Sequence, residues 1–186
     1  MLVSGYAGRM DASSNAATDR ETSRFRAKRD AILAAASEAI NLQGAKGMTF
    51  ADVARRVGLN TTSVTYYFKR KEDLAAACFE QTLDRLQEML AESAREPTPE
   101  ARVARYLSIN MRRMARIRRG EEQAMSSLSD LRAMEEPLLG TLMTGWRGVF
   151  RAARALWDEH GSRARKDLNG ARAHVLLENT FWLPVW

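Results

Sequence analysis

One cysteine, two histidines, four prolines and no long apolar run restrict this 186-residue chain before any motif is considered. The lone thiol, Cys78, cannot form a disulfide within the chain and has no cysteine partner for zinc, which fits a reducing compartment, so a cytoplasmic protein is expected. In LAAACFE, Cys78 reads as a small buried hydrophobe rather than a catalytic thiol. His160 and His174 stand far apart in different predicted elements, with no HExxH or paired His/Asp/Glu spacing, so no metal is expected. A glycine-rich phosphate loop and a G-x-S-x-G elbow are both missing. No cofactor and no enzymatic activity are therefore expected. No stretch approaches the roughly eighteen apolar residues of a membrane span, and the start of the chain has no apolar leader core.

What is present is a positive charge in one place. The formal net charge is +6, and residues 20–71 hold eleven Lys/Arg against four Asp/Glu, while the remainder is close to neutral. A basic excess confined to one small unit suits a polyphosphate partner, and general solubility would need no such asymmetry. With 45% hydrophobic residues the chain can also bury a core. The pattern divides it into a disordered arm at 1–23, a compact basic unit at 24–70 and a larger helical unit at 71–186.

Helical signals recur along the chain and strand signals do not. Phe25, Ile32, Ala36 and Ile40 repeat at helical spacing between Arg24 and Gln43, and Gly44 and Gly47 close that run. Thr49 and Asp52 read as a capping box opening a very short second helix to Val57. Asn60 can cap a third over Thr61–Phe68, and a longer helix runs from Lys71 toward Arg95, where EPTPE ends it. Further helices are predicted over Glu100–Arg119, Glu121–Met134, Pro137–His160 and Asn169–Trp186, giving an all-α chain of eight or more helices.

Two-turn helices need external bracing. Phe50, Val53 and Val57 form one face of the second helix, and Leu59, Val64, Tyr67 and Phe68 can close on it across a turn made by Gly58, with small Ala54 allowing close approach. This is a helix-turn-helix. At about 100° per residue from inward Val64, Thr62 falls near 160° and Tyr66 near 200°, so both point outward. A face of hydroxyls and one aromatic, followed by Lys69, Arg70 and Lys71, suits a major groove, where hydroxyls meet phosphates or base edges.

From Phe25 to Leu74 the sequence resembles the DNA-binding domain of TetR-family transcriptional regulators: an amphipathic first helix, the unit TFADVARRVGLNTTSVTYYF, then KRKEDL opening a long fourth helix. The resemblance implies an N-terminal three-helix domain followed by a C-terminal helical bundle. It also implies contacts to double-stranded DNA by Thr49, Thr61, Thr62, Ser63, Thr65, Tyr66 and Tyr67, with Lys71 on a phosphate. The family usually has a tyrosine where Thr65 stands, and here the tyrosines are Tyr66 and Tyr67. The shorter Thr65 has less reach, so either tyrosine could take the backbone contact.

Beyond Lys71 no motif transfers residue by residue. By the same resemblance this part dimerises and binds a small effector, with Met89, Met111, Met114, Met125, Trp146 and Phe150 as candidate lining residues, although such residues at helical spacing are more often plain core. The run RRMARIRRG reads as a solvated basic face offset by nearby acids. Val175, Phe181, Trp182 and Trp186 crowd the last segment, which suggests a homodimer interface. The chain closes on apolar Trp186, so a final helix is expected to be missing. The expected function is a ligand-released repressor on an inverted-repeat operator. A helical bundle binding lipids or small molecules without DNA is the alternative, and it leaves the basic unit unexplained.

Overall fold

The computed structural model describes residues 8–158 and 166–182, with side chains from Thr22 onward except those of Ala133, Lys166, Asn179, Phe181 and Trp182. Among these residues are seven α-helices and one 3-10 turn, and no strand. The helices are α1 (Gly8–Gly47), α2 (Phe50–Arg56), α3 (Thr61–Tyr67), α4 (Lys71–Ser93), α5 (Pro99–Arg118), α6 (Leu138–Ala155) and α7 (Lys166–Trp182). None is long and apolar enough to cross a membrane.

The boundaries follow from local chemistry. Thr49 Oγ1 accepts the Asp52 amide at 3.1 Å and donates to the Asp52 carboxylate at 2.7 Å, opening α2 with the expected box. This hydroxyl contact also holds the Asp52 carboxyl below its ordinary range. The α2 helix ends where Gly58, at φ 65°, lets its amide reach Arg55 O at 3.4 Å and the Leu59 amide reach Ala54 O at 2.9 Å, a paired closure that satisfies two terminal carbonyls. Asn60 Oδ1 caps α3 by accepting the Ser63 amide at 2.7 Å. Thr98 caps α5, with Pro99 in its first turn.

Around α4 the rest is assembled, with α1 and α5 packed along it and α6 on a further side; α7 lies on α6, and α2 bridges α1 and α3. One continuous core includes Ile32, Ala36 and Ile40 of α1, Val53 and Ala54 of α2, Val64, Phe68, and Leu74, Phe79, Leu86 and Leu90 of α4. It extends to Tyr106, Leu142, Val149 and Leu177 in the later helices. Fully burying an aliphatic side chain of this kind contributes about 1.5–3 kcal/mol. Tyr106 satisfies its phenol with Thr180 Oγ1 at 2.8 Å.

Two expectations are corrected. The first helix starts at Gly8, far ahead of its apolar face, and no glycine or proline interrupts residues 9–43. Phe25, placed in the core stripe by periodicity, lies in this extension and is 40% exposed.

The second correction is the helix expected over Glu121–Met134, which is an irregular segment with a single 3-10 turn at Leu131–Ala133. Beside two bonds of its own, Leu131 N to Leu128 O and Met134 N to Leu131 O, its backbone groups bond to other elements. Gln123 O accepts from Arg85, Met125 O from Asn41 Nδ2 at 2.9 Å, and the Ser126 and Ser127 amides donate to Thr82 Oγ1 and Asn41 Oδ1 at 2.9 and 2.7 Å. Asp130 accepts the Ala45 amide at 2.8 Å, just beyond Gly44, whose φ of 76° breaks the long helix. A Cβ on Gly44 would stand 2.6 Å from Asp130 Oδ2.

Two expected outcomes follow from this packing. Gly44→Ala should lose about 1–3 kcal/mol in urea unfolding, from left-handed strain and the displaced carboxylate; an unchanged midpoint would refute the bend. Burial pushes the Cys78 thiol from an ordinary 9.0 to about 11, and Tyr106 from 10.0 to about 12. Both raised values favour the neutral, folded form, so the stability these two groups contribute should be fully present below about pH 9 and be lost as pH rises through 11. Cys78→Ala should flatten part of that decline in urea titrations at pH 8 to 11.

Candidate DNA-binding surface and ligand cavity

On α3, Val64 is fully buried while Thr61, Thr62 and Tyr66 are exposed, Tyr66 at 67%. The hydroxyls are not equivalent. Ser63 Oγ donates to Asn60 Oδ1 at 2.8 Å, and Thr65 Oγ1 donates back to Thr62 O at 2.9 Å, so both protons are used inside the helix. Thr61 and Thr62 make no side-chain hydrogen bond among the described residues. Thr49, also exposed, spends its hydroxyl on the α2 cap.

The two tyrosines differ in the same way. Tyr67 is half-buried with its ring 4.7 Å from Phe25, and Tyr66 stands edge-on to both Phe25 and Tyr67, at 6.2 and 5.3 Å. Phe25 is thus a contact between α1 and α3 that periodicity alone misassigned to the core. Edge-to-face packing of this kind contributes about 0.5–1.5 kcal/mol beyond burial. It fixes where the Tyr66 hydroxyl projects. Arg29 lies over the Phe68 ring at 5.3 Å, on the other side of the same junction.

The cations around this face divide into paired and free. Arg55 pairs with Asp52 at 2.5 Å, Arg56 with Glu38 at 3.2 Å and Arg70 with Asp73 at 2.6 Å. The Arg70 contact raises its own pKa and lowers that of Asp73. Arg24, Arg26, Lys28 and Lys69 take part in no ion pair among the described residues. Lys71 Nζ donates to Lys46 O at 2.8 Å, closing the end of α1, and an ammonium retains two further donors. The basic run closing α5 is offset in part: Arg113 and Arg116 meet Glu122, Arg119 just past the helix meets Glu121, and Arg112 donates to Ser108 Oγ.

In the C-terminal helices the six candidate lining residues do not form one group. Trp146 and Phe150 share a cavity of about 620 Å³ with Met143, Leu128, Leu131, Arg132, His174 and Glu178. Met111 lines a separate apolar cleft of about 570 Å³ between α5 and α7, with Leu107, Trp157 and Val175. Met89, Met114 and Met125 are buried core. Helical spacing identifies an inward face but not whether a neighbour fills the space beyond it. Val175 is exposed, whereas the side chains of Phe181 and Trp182, and all of Trp186, lie outside the described residues. No group of three His, Cys, Asp or Glu among the described residues could hold a metal ion.

Comparison with known proteins bears on this geometry. The family model for bacterial regulatory proteins, tetR family, matches residues 32–78. No curated protein matches the chain. A TetR-family transcriptional regulator from Bordetella parapertussis 12822 superposes with a TM-score of 0.66 at 20% identity, covering 85% of this chain and 82% of that one. A structure of AibR in complex with isovaleryl coenzyme A and operator DNA gives 0.64 at 16% identity, covering 85% and 86%. FadR from Bacillus subtilis in complex with stearoyl-CoA gives 0.56 at 18%, covering 82% and 86%. Residues 32–78 are a TetR-family helix-turn-helix DNA-binding domain, and the chain as a whole has the fold of TetR-family transcriptional regulators.

Proposed function

We propose that the protein is a repressor that binds an inverted-repeat operator as a homodimer through α3 and is released by a small ligand held in its C-terminal domain. The observation that carries this reading is the division of α3: one side buried through Val64, the other presenting the unbonded hydroxyls of Thr61 and Thr62 beside exposed Tyr66. Thr62 and Tyr66 reach base edges or the adjoining backbone, Thr61 and the side-chain oxygens of Ser63 and Thr65 lie alongside, and Tyr67 supports Tyr66 from within. Lys71, Lys69 and the α1 cations Arg24, Arg26 and Lys28 meet phosphates, whereas Thr49 contributes through the cap it makes. The N-terminus of α4 has no side-chain cap, so its first amides are also open to a phosphate.

Dimerisation is inferred because one helix-turn-helix reads only a few base pairs, and two copies related by a two-fold axis read half-sites about one helical turn apart. Exposed Val175 on α7 supports an interface there, with Phe181, Trp182 and Trp186 as its proposed continuation. The cavity in which Trp146 and Phe150 meet Ser127, Ser129, Arg132, His174 and Glu178 supports ligand control, since its volume falls within the roughly 300–1,000 Å³ usual for a small-molecule site.

Selection of bound duplexes from random DNA, followed by mobility shifts, tests the reading. An enriched site with two-fold symmetry is expected; no duplex binding would leave the ligand-binding bundle as the function. On the selected site Thr62→Ala or Tyr66→Ala should cost about 1–3 kcal/mol and much less on random DNA, which equal losses on both would contradict. Lys71→Ala should weaken both DNAs alike and reduce the salt slope by about one.

A further inference from the structure

The segment from Gln123 to Arg132 has two faces with different neighbours. Toward α1 and α4 it is fastened by Asn41, which accepts the Ser127 amide and donates to Met125 O, by Thr82, which accepts the Ser126 amide, and by Asp130, which accepts the Ala45 amide. Toward α6 and α7, Ser127, Leu128, Leu131 and Arg132 form one wall of the 620 Å³ cavity. Apart from one 3-10 turn the wall has no ladder of its own, so its shape depends on the elements it touches.

The chemistry of the lining narrows its occupant. Met143, Trp146 and Phe150 on α6 provide an apolar wall opposite the segment. Arg132 is exposed and enters no ion pair among the described residues, and a guanidinium stays charged at any ordinary pH. Glu178, the acid of the lining, already has His174 Nε2 at 4.0 Å from its Oε1. An apolar body carrying one anionic group fits that distribution, because planar carboxylates match the guanidinium fork.

We propose that this cavity takes an apolar molecule bearing a single anionic group, with the anion on Arg132, and that its binding reaches the DNA-binding domain through Asn41 and Asp130. The inference rests on the regulator reading above. Arg132 and Asp130 are two residues apart, so drawing Arg132 onto an anion moves the backbone that carries the Asp130 carboxylate. That carboxylate holds the Ala45 amide at the Gly44 bend, next to Lys46, whose carbonyl anchors Lys71. Near its middle α1 holds Phe25 against Tyr66 and Tyr67. A shift of α1 therefore reaches both the phosphate-contacting lysine and the groove-facing helix.

Octanoate and its neutral counterpart octanamide test this in the full chain. By calorimetry octanoate should bind about tenfold or more tightly than octanamide, and Arg132→Gln should erase the difference while leaving octanamide unaffected. Saturating octanoate should lower affinity for the selected duplex by about fivefold or more, and a protein carrying Asn41→Ala and Asp130→Ala should still prefer octanoate to octanamide while its DNA affinity is unchanged by saturating octanoate. In the unsubstituted protein, octanoate should speed hydrogen exchange at the Ala45 amide and not at the α2 amides. Duplex binding without octanoate binding, octanoate binding indifferent to Arg132, or full coupling in the doubly substituted protein would each overturn the proposal and leave the regulator reading standing. Absence of any duplex binding would remove both.

Discussion

Two helices of seven residues each cannot hold themselves, and the whole functional surface depends on the burial of Val53, Ala54, Val64 and Phe68 against α1 and α4. This packing decides which side of α3 is left for a partner. It also explains why α1 and α4 are long. Both extend beyond the small domain they brace: α4 continues from Lys71 into the bundle of later helices, and α1 meets the irregular segment at Asn41 and Ala45. The DNA-binding unit and the C-terminal helices therefore share two elements instead of being joined by a flexible linker. Movement in one part has a mechanical route to the other.

Electrostatics refine this arrangement. A basic segment suggests a uniform positive patch, yet Arg55, Arg56 and Arg70 are each committed to a carboxylate on the protein itself. Exposed pairs of this kind contribute little to stability, about 0–1 kcal/mol, and their main effect is to hold side chains in place and lower the local charge. The cations left unpaired among the described residues, Lys28 and Lys69 among them, stand on elements flanking α3. Attraction to a polyanion is thus concentrated where the exposed hydroxyls are.

The parts legible in the sequence were those whose signals are local. The Thr49–Asp52 box, the Asn60 cap, Gly58 at positive φ and the inward Val64 are each defined by residues within a few positions, and the structure holds all of them where spacing placed them. The segment at 121–134 was not legible for the opposite reason. Met125, Leu128 and Leu131 repeat like a helix, but the partners that draw its amides away are Asn41 and Thr82, more than forty residues distant. The candidate lining showed the same limit: Trp146 and Phe150 face a cavity, while Met89 and Met114 face filled core, and nothing local distinguishes them. Arg132 and Glu178 gave no signal, and His174 only that of an isolated imidazole, because they meet across two elements, the 3-10 turn and α7.

The central claim is that α3, oriented by this braced core, is the surface that enters DNA. Amide chemical-shift mapping during titration with a selected duplex tests it most directly. The account predicts that the largest changes fall on Thr61–Tyr67 and on Lys69–Lys71, with smaller ones in α1 around Phe25 and Lys28. Changes centred on the arginines of α5, with α3 unperturbed, would contradict it.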